Sequence, residues 1–458
     1  MKGQGAAMNK SHRGEPRRFK IRYLFLGLLV LLLVWFAIFR IGAYRDLNGR
    51  MAELEQAGYP LTLAELGQAH SIDPAFDNGA DYYLAAFSHY REPNDAANEI
   101  LPWVGKADKP ARTEPLDPAL LQAIEAFLGE NEKALSLLHE AVELEYARYP
   151  MDFSQGFDML SPWLKEMRRC AFLLSLEGLA ACAQDDPNRA IETVHATLAL
   201  AKSQDCPVII NRLVQIAIRA LAYSNIEQVV NRVTLTDAQL QTVSGWVQTY
   251  VNPDGYRQTL IGERCFGLQM FRAPGEMSPD MGGGRIVSVV LVPLKVLGLY
   301  DRDVLSYINL MQDYIDALEL PQGERLAAYQ AVEERFSSGK GLGLLTRIIM
   351  PALMRTYQLE TRNIARRRVT WTALAAERFR LAEGRLPTTL DELVPTYLDA
   401  VPIDPFDGQP LRYRLLEKGF LVYSIGEDNS DDGGAERDRD SRHPDGSLKW
   451  DINFFVER

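Results

Sequence analysis

From Tyr23 to Phe39 the chain reads YLFLGLLVLLLVWFAIF without a single charge, and no other feature restricts its architecture as tightly. With Ile21 and Ile41 at its flanks, the run reaches the ~20 residues that a helix needs to cross hydrocarbon. A helix that is apolar on every side cannot keep one face in water, so residues 21–40 are read as a transmembrane helix in a lipid bilayer. A cleavable signal sequence has a shorter core, about 7–15 residues, closed by small residues. Here Trp35, Phe36 and Phe39 lead straight into Arg40, which argues for a retained anchor.

Charge sets the direction of crossing. The 458-residue chain carries a net charge of −11, yet Lys2, Lys10, Arg13, Arg17, Arg18, Lys20 and Arg22 face only Glu15 before the apolar run. Segments rich in Lys and Arg resist translocation, so residues 1–20 are expected in the cytoplasm and residues 41–458 outside. The expectation is a single-pass protein of a bacterial inner membrane, N-terminus cytoplasmic and C-terminus periplasmic. With 47% apolar residues, the part beyond the anchor has enough to build two or three cores.

In an oxidising compartment Cys170, Cys182, Cys206 and Cys265 are open to disulfide formation, but their spacing matches no CxxC metal or redox pattern. They are read as small buried apolar residues, with pairing left open.

Residues 41–352 read as mostly helical. Residues 45–118 are rich in Pro, Asp, Gly and Asn, with short helical stretches at LNGRMAELEQAG and ADYYLAAFSHY. From Leu120 the residues Ile124, Phe127, Leu135, Leu138, Val142 and Tyr146 recur at helical steps, with Asn131 the break on that face. Further helices are expected over about 163–184, 188–203, 207–231, 236–250, 303–318 and 322–336. Gly178, Ala181, Ala190 and Val194 partly match a tetratricopeptide repeat, although no second good copy follows. A plain helical bundle is the other reading. Residues 251–285 read as loop. The run Met281-Gly282-Gly283-Gly284-Arg285 lacks the Lys-Ser/Thr of a phosphate loop. Ile286 to Leu299 reads as a buried or membrane-surface segment.

A last long helix is expected from about Leu353 to Glu383, carrying Arg362, Arg366, Arg367 and Arg368. Outside the cytoplasm nucleic acid is not the partner, so a solvated or acid-paired face is expected. Gly384 supplies a left-handed C-cap, and Thr389 with Glu392 forms a capping box for a short helix. Strands follow at about 411–415, 420–423 and 451–456. The fold class is therefore α+β: one transmembrane helix, a mainly helical middle and a small C-terminal helix-plus-sheet module over 353–458.

In residues 369–458 the elements FRLAEGRLPTTLDELV, VPIDPFDGQPLRYR, GFLVYSIGEDNSDDGG and WDI follow in an order that resembles the globular domain of the major pseudopilin of type II secretion systems. The resemblance implies a calcium site in the loop after the second strand. It places Asp428 and Asp451 as ligands and Ile425 as a main-chain carbonyl donor. The chemistry is reasonable by itself, because calcium takes six to eight oxygens and Asp428, Asn429, Ser430, Asp431 and Asp432 crowd this loop. The near match to an EF-hand fails at its twelfth position, Arg439. A solvated acidic loop is the alternative. The family's peptidase site is missing: Gly14 is followed by Glu15-Pro16, and no Glu lies between Ile21 and Phe39.

The six histidines are scattered, and neither HExxH nor GxSxG occurs, so no enzyme and no small-molecule substrate is evident. The expected function is a non-catalytic envelope protein whose module binds or scaffolds a protein partner. The alternatives are a minor component of a secretion filament and an enzyme hidden in the helical region.

Overall fold

The apolar run belongs to a helix longer than a membrane span: α1 covers Arg17–Gln56, about 60 Å at 1.5 Å per residue. From Tyr23 to Val34 its side chains are exposed. Further on the same helix enters the protein, where Leu54 is 3% exposed and Leu47 and Met51 pack with Tyr256, Tyr307 and Met311. The stretch LNGRMAELEQAG is thus the end of α1 and not a separate helix, because residues 40–47 contain no proline and the single Gly42 does not interrupt the helix. The computed structural model describes residues 17–159, 161–272, 294–339, 343–436, 442 and 449–458. The first sixteen residues of the basic tail, the glycine run 281–285 and residues 286–293 lie outside them.

Short helices α2 (Leu63–Ala69), α3 (Gly79–His89) and α4 (Asp95–Ile100) follow, with Thr62, Asn78 and Asn94 each accepting an N–H of the first turn. The helical pattern from Leu120 splits into α5 (Pro118–Glu130) and α6 (Glu132–Glu140) at Asn131. Its amide, only 1% exposed, accepts the Arg91 N–H at 2.8 Å and donates to the Phe127 carbonyl at 3.1 Å. A buried polar group needs such partners, and satisfying them bends the chain there.

Helices α7 (Leu164–Ala183), α8 (Pro187–Ser203), α9 (Ile209–Arg232) and α10 (Asp237–Thr249) form the middle of the body. Asp186 caps α8 with Pro187 at its first position, and Thr236 with Gln239 makes a full capping box on α10. The four cysteines are buried and free.

The expected loop over 251–285 contains instead α11 (Gly255–Arg272). Its glycines suggested a loop, but two of them allow close packing. A Cβ on Gly262 would lie 1.8 Å from the Pro207 carbonyl oxygen, and one on Gly267 would lie 2.0 Å from the Tyr307 hydroxyl. The lost helix propensity, about 1 kcal/mol per glycine, is offset by burial of Leu260, Cys265, Leu268 and Phe271. Helices α12 (Leu299–Ala317), α13 (Gln322–Ser338) and α14 (Leu344–Glu383) complete the body, α14 starting nine residues before the expected Leu353.

Gly384 ends α14 at φ 68°, as expected of a left-handed cap. The capping box after it does not form: Thr389 makes no side-chain cap, and Glu392 instead accepts the Thr388 N–H at 2.6 Å and pairs with Arg385. Strands β1 (Arg412–Leu415), β2 (Phe420–Ser424) and β3 (Ile452–Val456) make one antiparallel sheet in the order β1-β2-β3. One apolar core joins Val194, Ala222, Ile226 and Leu240 to Ala373, Phe379, Phe420, Val422 and Phe454, so sheet, α14 and middle helices bury one another. The chain is mostly helical with one small antiparallel sheet.

Candidate functional site

The acidic loop starts where β2 ends, and a residue outside the expected ligand set fixes that end. Asp404, fully buried, accepts the Phe406 N–H at 3.0 Å and the Ser424 hydroxyl at 2.9 Å on Oδ1. Its Oδ2 accepts the Ile425 N–H at 2.9 Å and the Arg412 guanidinium at 2.8 Å. Burial pushes this carboxyl above its ordinary pKa, although the Phe406 and Ile425 N–H groups and the Ser424 hydroxyl pull it down. The PIDPFDG turn is therefore tied to the start of the loop by a single carboxylate. Its signal in the sequence was the local Asp404-Pro405-Phe406 turn, but nothing local pointed to Ile425.

From Ile425 the chain continues through Glu427, which pairs with Arg362 of α14 at 2.5 Å while that guanidinium lies 4.9 Å over the Trp450 ring. Arg362 thus meets the acid expected of its helix face. Arg368 donates to the Ile403 carbonyl.

The expected ligands are not equivalent. Asp451 is 2% exposed, its Oδ2 accepts the Gly434 N–H at 2.6 Å, and its Oδ1 is buried with no hydrogen-bond partner among the described residues. Burial lifts its pKa to about 6, and the charges of Asp432, Asp431 and Asp428 add to the rise against the Gly434 N–H. Asp428 turns one oxygen to the Ser430 N–H at 3.1 Å. Asp431 accepts from the Tyr423 hydroxyl at 3.1 Å and the Gly433 N–H at 2.9 Å, so it is committed to the sheet side of the loop. Ile425 is buried against Phe406 and Ile452.

Among the described residues no three His, Cys, Asp or Glu side chains are arranged to hold a metal. The donors that suit a hard cation are thus the unsatisfied Asp451 oxygen, the nearby Asp432 and Asp428, and main-chain carbonyls. A cation there would supply the charge that the raised Asp451 pKa shows to be lacking.

Among the described residues the histidines form no comparable site. His139 meets Glu177 at 2.8 Å, but Arg189 takes the other oxygen of that carboxylate. His195 stacks on Trp246 and bonds the Tyr250 hydroxyl at 2.6 Å. Burial lowers the His70 pKa to about 4, with Arg148 beside it.

No family model matches the chain, and neither a curated protein nor a solved structure is similar to it.

Proposed function

We propose that this chain is a non-catalytic protein of the bacterial inner membrane, anchored by α1, whose periplasmic body carries a pseudopilin-like C-terminal module stiffened by calcium for docking of a protein partner. The observation that supports it most is α1 itself: from Tyr23 to Val34 it is apolar and exposed, while its last turns are built into the core. The apolar run continues without a break into the part of α1 that carries the buried Ala43 and Leu54, 2% and 3% exposed, so cleavage near residue 40 would cut through a helix built into the fold, which favours a retained anchor.

The base of the body suits a lipid surface. Arg40 pairs with Asp301 at 2.6 Å and Arg302 stacks 4.2 Å over Phe39. Beside them Val296, Leu297 and Leu299 are exposed at 62%, 46% and 45%, and Lys295 adds a further cation. Apolar residues interleaved with cations are what a headgroup boundary accepts.

For the C-terminal module, support comes from the order of its elements and from the unsatisfied Asp451 oxygen. Among the described residues no three acids are already gathered, so calcium would draw the Asp432 and Asp428 carboxylates in to the Asp451 oxygen, with main-chain carbonyls, Ile425 among the donors, completing its shell. It would neutralise the loop and hold it against β3.

Two measurements test the reading. A periplasm-dependent reporter fused after Arg458 should be active; activity only of a cytosolic reporter rejects the topology. Melting of the full chain in detergent should rise with calcium and fall with chelator, and an unchanged midpoint rejects the metal.

A further inference from the structure

Far along the sequence the chain returns to α1 at the level where the apolar run ends. Residues 295–298 form a turn, closed by the Gly298 N–H on the Lys295 carbonyl at 3.2 Å, and Gly298, at φ 74°, is the N-cap of α12. No side chain fits there: a Cβ on Gly298 would lie 2.6 Å from Arg40 Cδ and 3.3 Å from the Phe39 ring. Both the left-handed backbone and the close approach require glycine. The turn is therefore seated on Phe39 and Arg40, the last two residues of the span.

The seat leaves the apolar side chains of the turn uncovered. Val296 and Leu297, with Leu299 at the start of α12, are exposed, and so are Ile38, Ile41 and Tyr44 of α1. If α1 crosses the bilayer, a turn fixed against residues 39 and 40 lies at the boundary between acyl chains and headgroups. Three large apolar side chains suit that depth and not water.

Charge at this level is unbalanced. Asp301 is engaged by Arg40. Asp303 is buried and accepts the Leu345 N–H at 2.9 Å and the Thr346 hydroxyl at 2.6 Å. Arg45 and Asp46, further along α1, are both exposed and cancel. That leaves Lys295, 4.7 Å from the Tyr300 ring centre, and Arg302, 4.2 Å from that of Phe39; among the described residues no carboxylate pairs with either. Two cations steadied by rings at the rim of an apolar patch complement a lipid whose acyl chains end in a negative headgroup.

We propose that residues 295–302 are a second, lipid-selective contact with the bilayer. Val296, Leu297 and Leu299 enter the acyl boundary of the periplasmic leaflet, and Lys295 with Arg302 holds the phosphodiester of an anionic phospholipid. The inference rests on α1 being the span, and adds which lipid the body takes and through which residues. Two contacts, one through the helix and one beside it, hold the body at a single tilt over the membrane.

The full chain in lipid nanodiscs tests it, with a bimane fluorophore on Leu297→Cys and, as references, on Leu28→Cys within the run and Leu415→Cys on β1. The four native cysteines are buried. The quencher is a nitroxide on the acyl chain of a minor lipid. Labels at 28 and 297 should be quenched and the label at 415 should not. At 297, nitroxide phosphatidylglycerol should quench about fivefold more than nitroxide phosphatidylcholine at equal low mole fraction, equivalent to about 1 kcal/mol. Adding Lys295→Gln and Arg302→Gln should make the two lipids about equal. A quenched label at 28 with an unquenched one at 297 overturns the inference and leaves the span standing, whereas an unquenched label at 28 removes both. Equal quenching by the two lipids at 297, or a preference that survives the double substitution, overturns the proposal as well.

Discussion

Replacing Glu227 by Gln should make the protein more stable at pH 8 and leave it nearly unchanged at pH 4.5. The Glu227 side chain is 18% exposed, and burial raises its pKa from 4.5 to about 7; Glu436 and Glu457 add to the rise, against Arg112 and the Phe455 N–H. A raised carboxyl pKa means that the folded state holds the proton more tightly than the unfolded chain. Below pH 4.5 both states are protonated and the group contributes nothing. Between 4.5 and 7 the unfolded chain ionises first, so stability falls as pH rises, and above 7 the loss is complete. At about 1.4 kcal/mol per pH unit of difference, the full loss is about 3 kcal/mol. A glutamine keeps an oxygen for the Phe455 N–H, 2.8 Å away, and gives up only a partly exposed contact with Arg112, worth under ~1 kcal/mol. Arg112 retains Glu436 and Glu457. Urea unfolding followed by circular dichroism at half-unit steps from pH 4.5 to 8 measures the gap between the two proteins. It should open from about zero to ~2–3 kcal/mol in favour of Glu227→Gln. Curves that stay parallel, or a gap that opens the other way, refute the claim that this carboxyl is destabilised by burial.

Asp451→Asn should abolish the calcium-dependent rise in melting temperature while the calcium-free protein melts at least as high above pH 6, because burial and the acidic neighbours raise the pKa of the native carboxyl to about 6; scanning calorimetry with calcium and with chelator reads both. Gly262→Ala should destabilise by about 3 kcal/mol, since a Cβ 1.8 Å from the Pro207 carbonyl forces α11 away from its neighbour, seen as a lower urea midpoint. Glu360→Ala should cost ~3–5 kcal/mol by stranding Arg212, which is 2% exposed and bound to both Glu360 oxygens at 3.1 and 2.7 Å. The double substitution Arg212→Met, Glu360→Leu should recover most of that loss, and a loss equal to the sum of the single changes would disprove the coupling.

What could be read from sequence was whatever depends on residues near each other in the chain. The uncharged run is legible because hydrocarbon acts on every side of a helix at once, and no tertiary contact alters that requirement. The start of α8 is equally local: Asp186 and Pro187 satisfy and pre-form the first turn whatever the helix packs on. Helix α11 was missed for the converse reason. The purpose of Gly262 lies at Pro207 and that of Gly267 at Tyr307, partners some forty to fifty-five residues away, so the local signal of a breaker was all that showed.

The candidate sites divide along the same line. The crowded acids Asp428, Asp431 and Asp432 were visible as composition, but which of them is committed elsewhere depends on Tyr423 and on the far strand. Asp404 was visible as a turn residue and invisible as the anchor of Ile425, twenty-one residues on. The contact of β3 with α9 is the extreme case, because it joins residues 224 positions apart and neither carries a motif. There Asn231 donates to the Phe455 carbonyl at 2.7 Å and accepts the Glu457 N–H at 2.8 Å. One helix side chain thereby occupies the open edge of the sheet as a neighbouring strand would. Asn231→Leu keeps the bulk but leaves both edge groups unpaired, a loss of about 2–4 kcal/mol from two buried polar groups. Asn188→Leu, on the exposed first turn of α8, gives up only its contact with Gln239 and should leave the urea midpoint nearly unchanged. A urea midpoint for Asn231→Leu no lower than that of Asn188→Leu would refute the claim that this side chain completes the sheet edge.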